Sequence, residues 1–232
     1  MTDHYAEIYA HHAEEYEQLI AREDYMGNIL AALQELTPLL GLDVIDMGAG
    51  TGRLTRLLAP FARSVCAFDT SAAMLAVARM HLEAESAHKW RVAVADHRAL
   101  PLESHSADLA ISGWSLCYTV VWEQDWQAEL GRALAEMRRV ARPGGTLVIV
   151  ETLGTGVATP APPEGLKHYF ACLDAEGFAS TWIRTDYRFA SVEEARALTT
   201  FFFRDDMSDR LASREPAILP ECTGIWWKRV GV

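Results

Sequence analysis

The sequence predicts an α/β fold built on a parallel sheet. Short apolar runs alternate with longer helical segments along the chain, and this alternation is typical of repeated β-α-β units. The chain has 232 residues, half of them hydrophobic, which favours a single domain, 1–232, with a sizeable core. Its apolar stretches are far shorter than the roughly 18 residues that span a bilayer, so no membrane partner is expected.

The elements follow one another in a regular order. Two helices, around 9–20 and over 26–36, precede the first strand and form a helical cap over residues 1–40. Strands are predicted at 44–47, 65–68, 92–95, 109–112 and 147–150, and helices at 53–58, 72–84 and 126–140. A turn at Pro143-Gly144-Gly145 separates the last of these helices from the fifth strand.

The final third of the chain has a different pattern. A loop rich in Gly, Thr and Pro runs from Gly154 to Pro163, and residues 178–189 alternate as one long strand would. Ser191 and Glu194 form a capping box that begins a helix. A closing strand is predicted at 224–230, so residues 190–220 form an insertion between the last two strands.

The net charge and the cysteine content limit the kinds of binding partner that are expected. There are 32 acidic and 21 basic residues, which gives a formal net charge of −11 and disfavours nucleic acid and anionic membranes. The four cysteines lack paired spacing, so neither a metal site nor a disulfide framework is expected. No leader sequence is recognised at the amino terminus, and a cytoplasmic location is expected.

The most informative segment is a glycine turn between the first strand and the next helix. Gly48, Gly50 and Gly52 alternate there, and such a turn lets a ligand approach bare backbone beside a helix N-terminus. Arg53 stands where a dinucleotide-binding fingerprint has its third glycine, and the P-loop lysine is missing. A plain tight turn between strand and helix remains the alternative.

Three acids lie at the ends of successive strands, where ligands bind in open α/β sheets. Asp46 lies at the glycine turn and suits an ammonium group better than a pyrophosphate. Asp69 can accept the hydroxyls of a ribose, or can cap the following helix. Asp96 can accept an adenine amino group, or can belong to a turn. Together they predict a site for a positively charged nucleoside.

Five blocks carry a resemblance to a known family: Asp46–Gly52, Phe68–Leu75, Ala95–Leu102, Asp108–Ser112 and Arg138–Gly145. In this order they resemble the class I S-adenosylmethionine-dependent methyltransferases, in the type 11 branch related to ubiquinone and menaquinone biosynthesis. The resemblance implies a Rossmann-like, mostly parallel seven-stranded sheet of order 3-2-1-4-5-7-6, with strand 7 antiparallel and helices on both faces.

The resemblance also implies S-adenosyl-L-methionine as the cofactor and suggests which residues hold it. They are Asp46, Gly48, Ala49, Gly50, Asp69, Thr70, Met74, Asp96, His97, Ser112 and Tyr16. Met74 is also compatible with ordinary helix packing.

Methyl transfer requires an aligned nucleophile in a dry pocket, and a dedicated base is optional. His11, His12 and Tyr16 are candidates for a base, although a solvated acidic helix is the alternative. Tyr9, Trp114, Tyr118 and Phe202 are candidates for contacts with the acceptor, or are core residues. The expected acceptor is a small or mid-sized organic molecule.

Two other functions fit the same features. The chain could bind S-adenosylmethionine without catalysis, as a regulatory protein does, or it could be an NAD-linked oxidoreductase. The sequence does not indicate the methylated atom or the oligomeric state.

Overall fold

The computed structural model describes residues 2–85 and 89–231. Its strands are β1 (Asp43–Met47), β2 (Ser64–Asp69), β3 (Trp90–Val94), β4 (Ala107–Gly113), β5 (Ala141–Thr155), β6 (Ala179–Arg184), β7 (Tyr187–Phe189), β8 (Ser213–Arg214), β9 (Ala217–Leu219) and β10 (Glu221–Arg229). Seven of them form a sheet of order β3-β2-β1-β4-β5-β10-β6. The first five are parallel, and β10 is antiparallel to both β5 and β6. The predicted sheet order and the antiparallel seventh strand are confirmed.

Helices cover both faces of this sheet. They are α1 (Thr2–His11), α2 (Ala13–Ile20), α3 (Asn28–Leu36), α4 (Arg53–Leu58), α5 (Ala72–Ala84), α6 (Thr119–Trp122), α7 (Trp126–Val140), α8 (Lys167–Ala175) and α9 (Val192–Phe203). Along β5, Leu147 and Ile149 belong to the core that contains α7, whereas Val148 and Val150 belong to the core that contains α3 and α4. Because successive strand residues face opposite sides, a strand buried on both sides is a continuous apolar run.

The predicted helix over 9–20 is two helices, because His12 has φ −129° and ψ 36°, outside the helical region. The helix is interrupted there, and α2 begins with Glu14 and Glu15 in its first turn. Acidic residues in this position are favourable next to a helix N-terminus.

The prediction of one long strand over 178–189 is wrong. β6 pairs with β10, whereas β7 joins a separate sheet of order β7-β9-β8. At the break, the Asp186 carboxylate accepts hydrogen bonds from the Glu221 N–H and the Arg184 side chain. A side chain thus replaces the backbone as the partner of that N–H, and the ladder ends.

Two further differences from the predicted elements concern residues 143–145 and helix α8. The predicted turn at 143–145 lies within the span of β5, opposite a register irregularity in β4 and with Gly144 at φ +78°. Helix α8 lies in a stretch for which the sequence yielded no helix prediction.

The insertion packs on the N-terminal cap. Ser191 accepts a hydrogen bond from the Glu194 N–H at 3.1 Å, which confirms the predicted helix start. Leu19 of α2 shares a core with Tyr187, Phe189 and Leu219 of the small sheet. Across residues 2–85 and 89–231, no helix is long and apolar enough to cross a membrane.

Candidate functional site

The glycine turn bends sharply at the carboxyl end of β1. Gly48, Gly50 and Gly52 have φ values of +77°, +55° and +87°, in the left-handed region that favours glycine. A Cβ on Gly48 would lie 1.9 Å from Ser115 Oγ, whereas one on Gly50 would meet only Met74 Cε, at 3.5 Å. Glycine at 48 therefore makes room for the protein's own Ser115, and the side of Gly50 is open to a ligand.

Asp69 fixes this bend from the end of the neighbouring strand. Its Oδ2 accepts from the Gly50 N–H at 2.9 Å and its Oδ1 from the Ser71 N–H at 2.8 Å. The cap of α5 is Ser71, which accepts from the Met74 N–H, so the capping role considered for Asp69 belongs to Ser71. Since a carboxylate accepts about four hydrogen bonds, Asp69 retains capacity for further donors. Burial raises the pKa of Asp69.

Asp46 is buried behind the bend. The Thr55 hydroxyl donates to Oδ2 at 2.6 Å, and Oδ1 has no hydrogen-bond partner in the described part of the chain. Loss of hydration raises the pKa of Asp46 to about 7, against the hydrogen bond from Thr55. One carboxyl oxygen is thus left without a partner beneath the glycine turn.

Asp96 and His97 follow β3. The Ala95 N–H donates to the Asp69 carbonyl at 3.0 Å, which brings this segment beside the end of β2. Asp96 is ion-paired with Arg98, and this pairing lowers its pKa to about 2. Burial lowers the pKa of His97, and its Nε2 finds no partner among the described residues. At this position His97 is a neutral ring with a free nitrogen.

The other predicted cofactor residues differ in exposure. Met74 is buried and packs with Ala13, Val77 and Tyr16, whereas Thr70 is exposed. The N–H groups of Gly48 and Ala49 donate to the Phe68 carbonyl, at 2.7 and 2.9 Å. Ser112 is fully buried, and its hydroxyl donates to the Met47 carbonyl at 2.8 Å. It ties β4 to β1.

An aromatic cluster joins the cap to the insertion. Its members are Tyr5, Tyr9, Tyr16, Tyr118, Trp122 and Phe202. The Tyr9 and Tyr118 hydroxyls contact each other, and the Tyr16 ring lies 5.3 Å from the rings of both Tyr9 and Phe202. Burial raises the pKa of Tyr9, Tyr16 and Tyr118, so these hydroxyls are neutral hydrogen-bonding groups at physiological pH.

The two candidate histidines lie where the cap helices meet. His11 is exposed, 4.0 Å from Glu7, and His12 Nδ1 lies 3.2 Å from Glu15. Both lie near acids of the cap, and their role as a base stays a prediction.

Trp114 is separate from the aromatic cluster. It has φ +49°, a conformation that costs about 1–3 kcal/mol in a residue other than glycine. Its N–H donates to the Val150 carbonyl at 2.7 Å, and the Arg53 guanidinium carbon lies 4.3 Å from the ring centroid. Of the four predicted acceptor contacts, the structure therefore brings together Tyr9, Tyr118 and Phe202 but not Trp114.

The sequence interpretation missed a buried acid, Glu151. It follows the apolar run 147–150 and accepts hydrogen bonds from the Cys117 N–H at 3.1 Å and the Tyr169 hydroxyl at 3.0 Å. Burial raises its pKa to about 7. An acid directly after a buried apolar run is the signal that identified Asp69, so the same rule would have found Glu151.

The groups at the carboxyl edge of the sheet suit a nucleoside bound beside the aromatic cluster. Asp69 supplies acceptors for hydroxyl groups, Gly50 supplies a bare surface, and His97 supplies a free ring nitrogen. The aromatic cluster lies on the cap side of the same bend, because the Ser71 hydroxyl donates to the Tyr9 carbonyl at 2.6 Å.

Comparisons with known proteins agree with this geometry. A family described as a methyltransferase domain matches residues 45–149. Malonyl-[acyl-carrier protein] O-methyltransferase of Pectobacterium atrosepticum is 38% identical over 116 residues, which are 50% of this chain and 40% of that protein. The enzyme of the same name from Salmonella typhimurium is 32% identical over 74% of this chain and 60% of its own length. The matches span about half the length of these relatives.

Solved structures share the fold. A SAM-dependent methyltransferase from Aquifex aeolicus superposes with a TM-score of 0.58 at 15% identity, covering 93% of this chain and 97% of that one. The [4+2]-cyclase SpnF superposes with the same TM-score at 19% identity, over 88% of this chain and 80% of its own. At such identities the likeness concerns the fold, and one fold hosts more than one reaction.

Proposed function

We propose that the chain is a class I S-adenosylmethionine-dependent methyltransferase, which transfers a methyl group from that cofactor to a small or mid-sized organic acceptor. The observation that carries the proposal is the bend itself, which Asp69 holds through the Gly50 N–H while the side of Gly50 stays open. Alternating glycines alone are a weak indication of a cofactor site. Asp69 strengthens it, because this acid on the neighbouring strand holds the glycine turn in place through a hydrogen bond.

The described residues fit the cofactor. Asp69 has acceptor capacity for the ribose hydroxyls, and Met74 offers an apolar surface 3.5 Å from the position of a Cβ on Gly50. The free Nε2 of His97 and the Asp96 carboxylate would border the adenine, and Asp46, with one unpartnered carboxyl oxygen, lies directly before the glycine turn. When bound, the cofactor supplies a sulfonium-activated methyl carbon.

The protein's contribution to the transfer is orientation and exclusion of water. The aromatic cluster supplies a largely apolar wall, and its tyrosine hydroxyls hold an acceptor by hydrogen bonds without taking its proton, because burial raises their pKa. The net charge of −11 supports an acceptor other than a nucleic acid. A malonyl group on an acyl-carrier protein is the second candidate, since several relatives carry that name.

The test uses the full chain and cofactor labelled in its methyl group. One arm adds a metabolite extract, and a second adds malonyl-acyl-carrier protein. Transfer of label into a small molecule is the expected result, and it should be lost in Asp69→Asn but retained in Asp205→Asn, a surface acid paired with Arg210. Label on the carrier-bound malonyl group would establish the second candidate. Cofactor binding without any transfer would instead support the non-catalytic alternative.

A further inference from the structure

Arg53 and Glu23 form a buried ion pair with two unused groups. Arg53 begins α4 directly after the glycine turn, and its Nη1 donates to Glu23 Oε2 at 2.8 Å. The side chains are 16% and 4% exposed. Arg53 Nη2 and Glu23 Oε1 are buried and have no hydrogen-bond partner in residues 2–85 and 89–231. One cationic donor and one anionic acceptor are therefore unused within a single ion pair.

Such groups rarely stay unpaired, because each buried polar group left alone is costly. The charges of this pair fit one kind of ligand particularly well. A ligand carboxylate would accept from the free guanidinium nitrogen, and a ligand ammonium would donate to the free carboxylate oxygen. The chemistry is that of an α-amino acid zwitterion.

The pair lies on the correct side of the glycine turn for such a group. The Arg53 guanidinium carbon is 4.3 Å from the centroid of Trp114, which follows β4, whereas Asp69 ends β2. In the sheet, β1 and its turn lie between these two strands. A nucleoside with its ribose at Asp69 would thus extend its 5′ substituent across Gly50 towards Arg53.

Tyr16 is influenced by the charges at both ends of this path. Burial raises its pKa, Arg53 opposes that rise, and Glu23 and Asp69 add to it. The charges of Arg53, Glu23 and Asp69 thus all act on the buried Tyr16 hydroxyl, as expected for groups near one another.

The protonation of a neighbouring acid, Glu221, is also compatible with such a ligand. Glu221 is a third buried carboxyl group in this region, and it accepts from the Thr152 hydroxyl at 2.7 Å. Burial, followed by the charge of Glu23, raises the pKa of Glu221 and so favours its neutral form. The charges of Arg53 and Glu23 oppose each other, which suits a ligand group that carries both charges.

We propose that Arg53 and Glu23 bind the carboxylate and the ammonium group of the methionine part of S-adenosylmethionine. This inference rests on the proposed function and deepens it, and it gives the ammonium group, which the sequence interpretation placed at Asp46, to Glu23 instead. An amino acid that serves as methyl acceptor has the same chemistry, and the experiment distinguishes the two sources.

The experiment compares two ligands by calorimetric titration of the full chain. S-adenosylhomocysteine carries the amino acid group, and 5′-methylthioadenosine has the same nucleoside without it. Arg53→Met and Glu23→Gln should each weaken binding of S-adenosylhomocysteine by about 10- to 100-fold and leave the affinity for 5′-methylthioadenosine unchanged. The control is Arg63→Met, which breaks an exposed ion pair with Asp43 at the opposite edge of the sheet and should alter neither affinity.

Several results would overturn the inference. Equal losses for both ligands would mean that the pair supports the fold of the site, and unchanged affinities would mean that it binds neither ligand. If S-adenosylhomocysteine binding is unchanged but a free amino acid binds the wild-type complex and not Arg53→Met, the pair belongs to an acceptor. Failure of the wild type to bind either nucleoside would refute the proposed function itself, which is a different outcome.

Discussion

Replacement of Gly48 by alanine tests how the turn is built. A Cβ at this position would lie 1.9 Å from Ser115 Oγ and 2.5 Å from Ser115 Cβ, and the backbone there has φ +77°. Two penalties therefore act together. The left-handed conformation costs about 1–2 kcal/mol, and overpacking against a fixed neighbour costs about 1–3 kcal/mol.

The expected destabilisation by Gly48→Ala is about 2–5 kcal/mol. Removal of the Ser115 side chain separates the two penalties, because the next atom, Ser115 Cα, is at 3.9 Å, an ordinary contact. In a Ser115→Gly background the same alanine should cost only the conformational part, about 1–2 kcal/mol.

The assay is urea unfolding of the wild type, both single variants and the double variant, analysed as a double-mutant cycle. Gly131→Ala is the matched control, because Gly131 lies within α7 with nothing within 4 Å of the added Cβ. It should stabilise the protein by up to about 1 kcal/mol. Additive costs for Gly48→Ala and Ser115→Gly would refute the packing argument, and so would a Gly48→Ala effect as mild as the control.

Three further predictions concern single side chains. Asp69→Ala should weaken binding of S-adenosylhomocysteine by about 1–3 kcal/mol, measured by calorimetry, and an unchanged affinity would exclude Asp69 from the ribose site. The pKa of Glu151 is raised from 4.5 to about 7, so the folded state holds an extra proton between these values. Its share of the free energy of unfolding should fall by about 3 kcal/mol as pH rises from 4.5 to above 7. Glu151→Gln should remove that dependence, and parallel stability–pH curves for the two proteins would contradict the burial argument. Ser191→Ala removes the cap of α9 and should lower the free energy of unfolding by about 1 kcal/mol, whereas no loss would mean that Ser191 does not stabilise the helix start.

The sheet was predictable because its strands are buried on both faces. Runs such as 44–47 and 147–150 leave few alternatives to a central strand, and the five sequence blocks implied the strand order. The alternation at 178–189 misled because period two continues through Asp186. Only the tertiary contact of Asp186 with the Glu221 N–H shows where the ladder ends.

The site was partly predictable for the same reason. Acids after parallel strands meet at one edge, and Asp69 does order the glycine turn. The pairing of Arg53 with Glu23 spans 30 residues and depends on how the cap folds back, which no local pattern encodes. The left-handed backbone of Trp114 likewise has no signal in the sequence, and it directs this side chain to Arg53 instead of the aromatic cluster.

A calorimetric titration of the wild-type chain with S-adenosylmethionine, and in parallel with NAD, tests the central claim most directly. We expect one S-adenosylmethionine to bind per chain and no heat of binding from NAD. Binding of NAD with no binding of S-adenosylmethionine would contradict the assignment of the glycine turn and Asp69 to a cationic nucleoside.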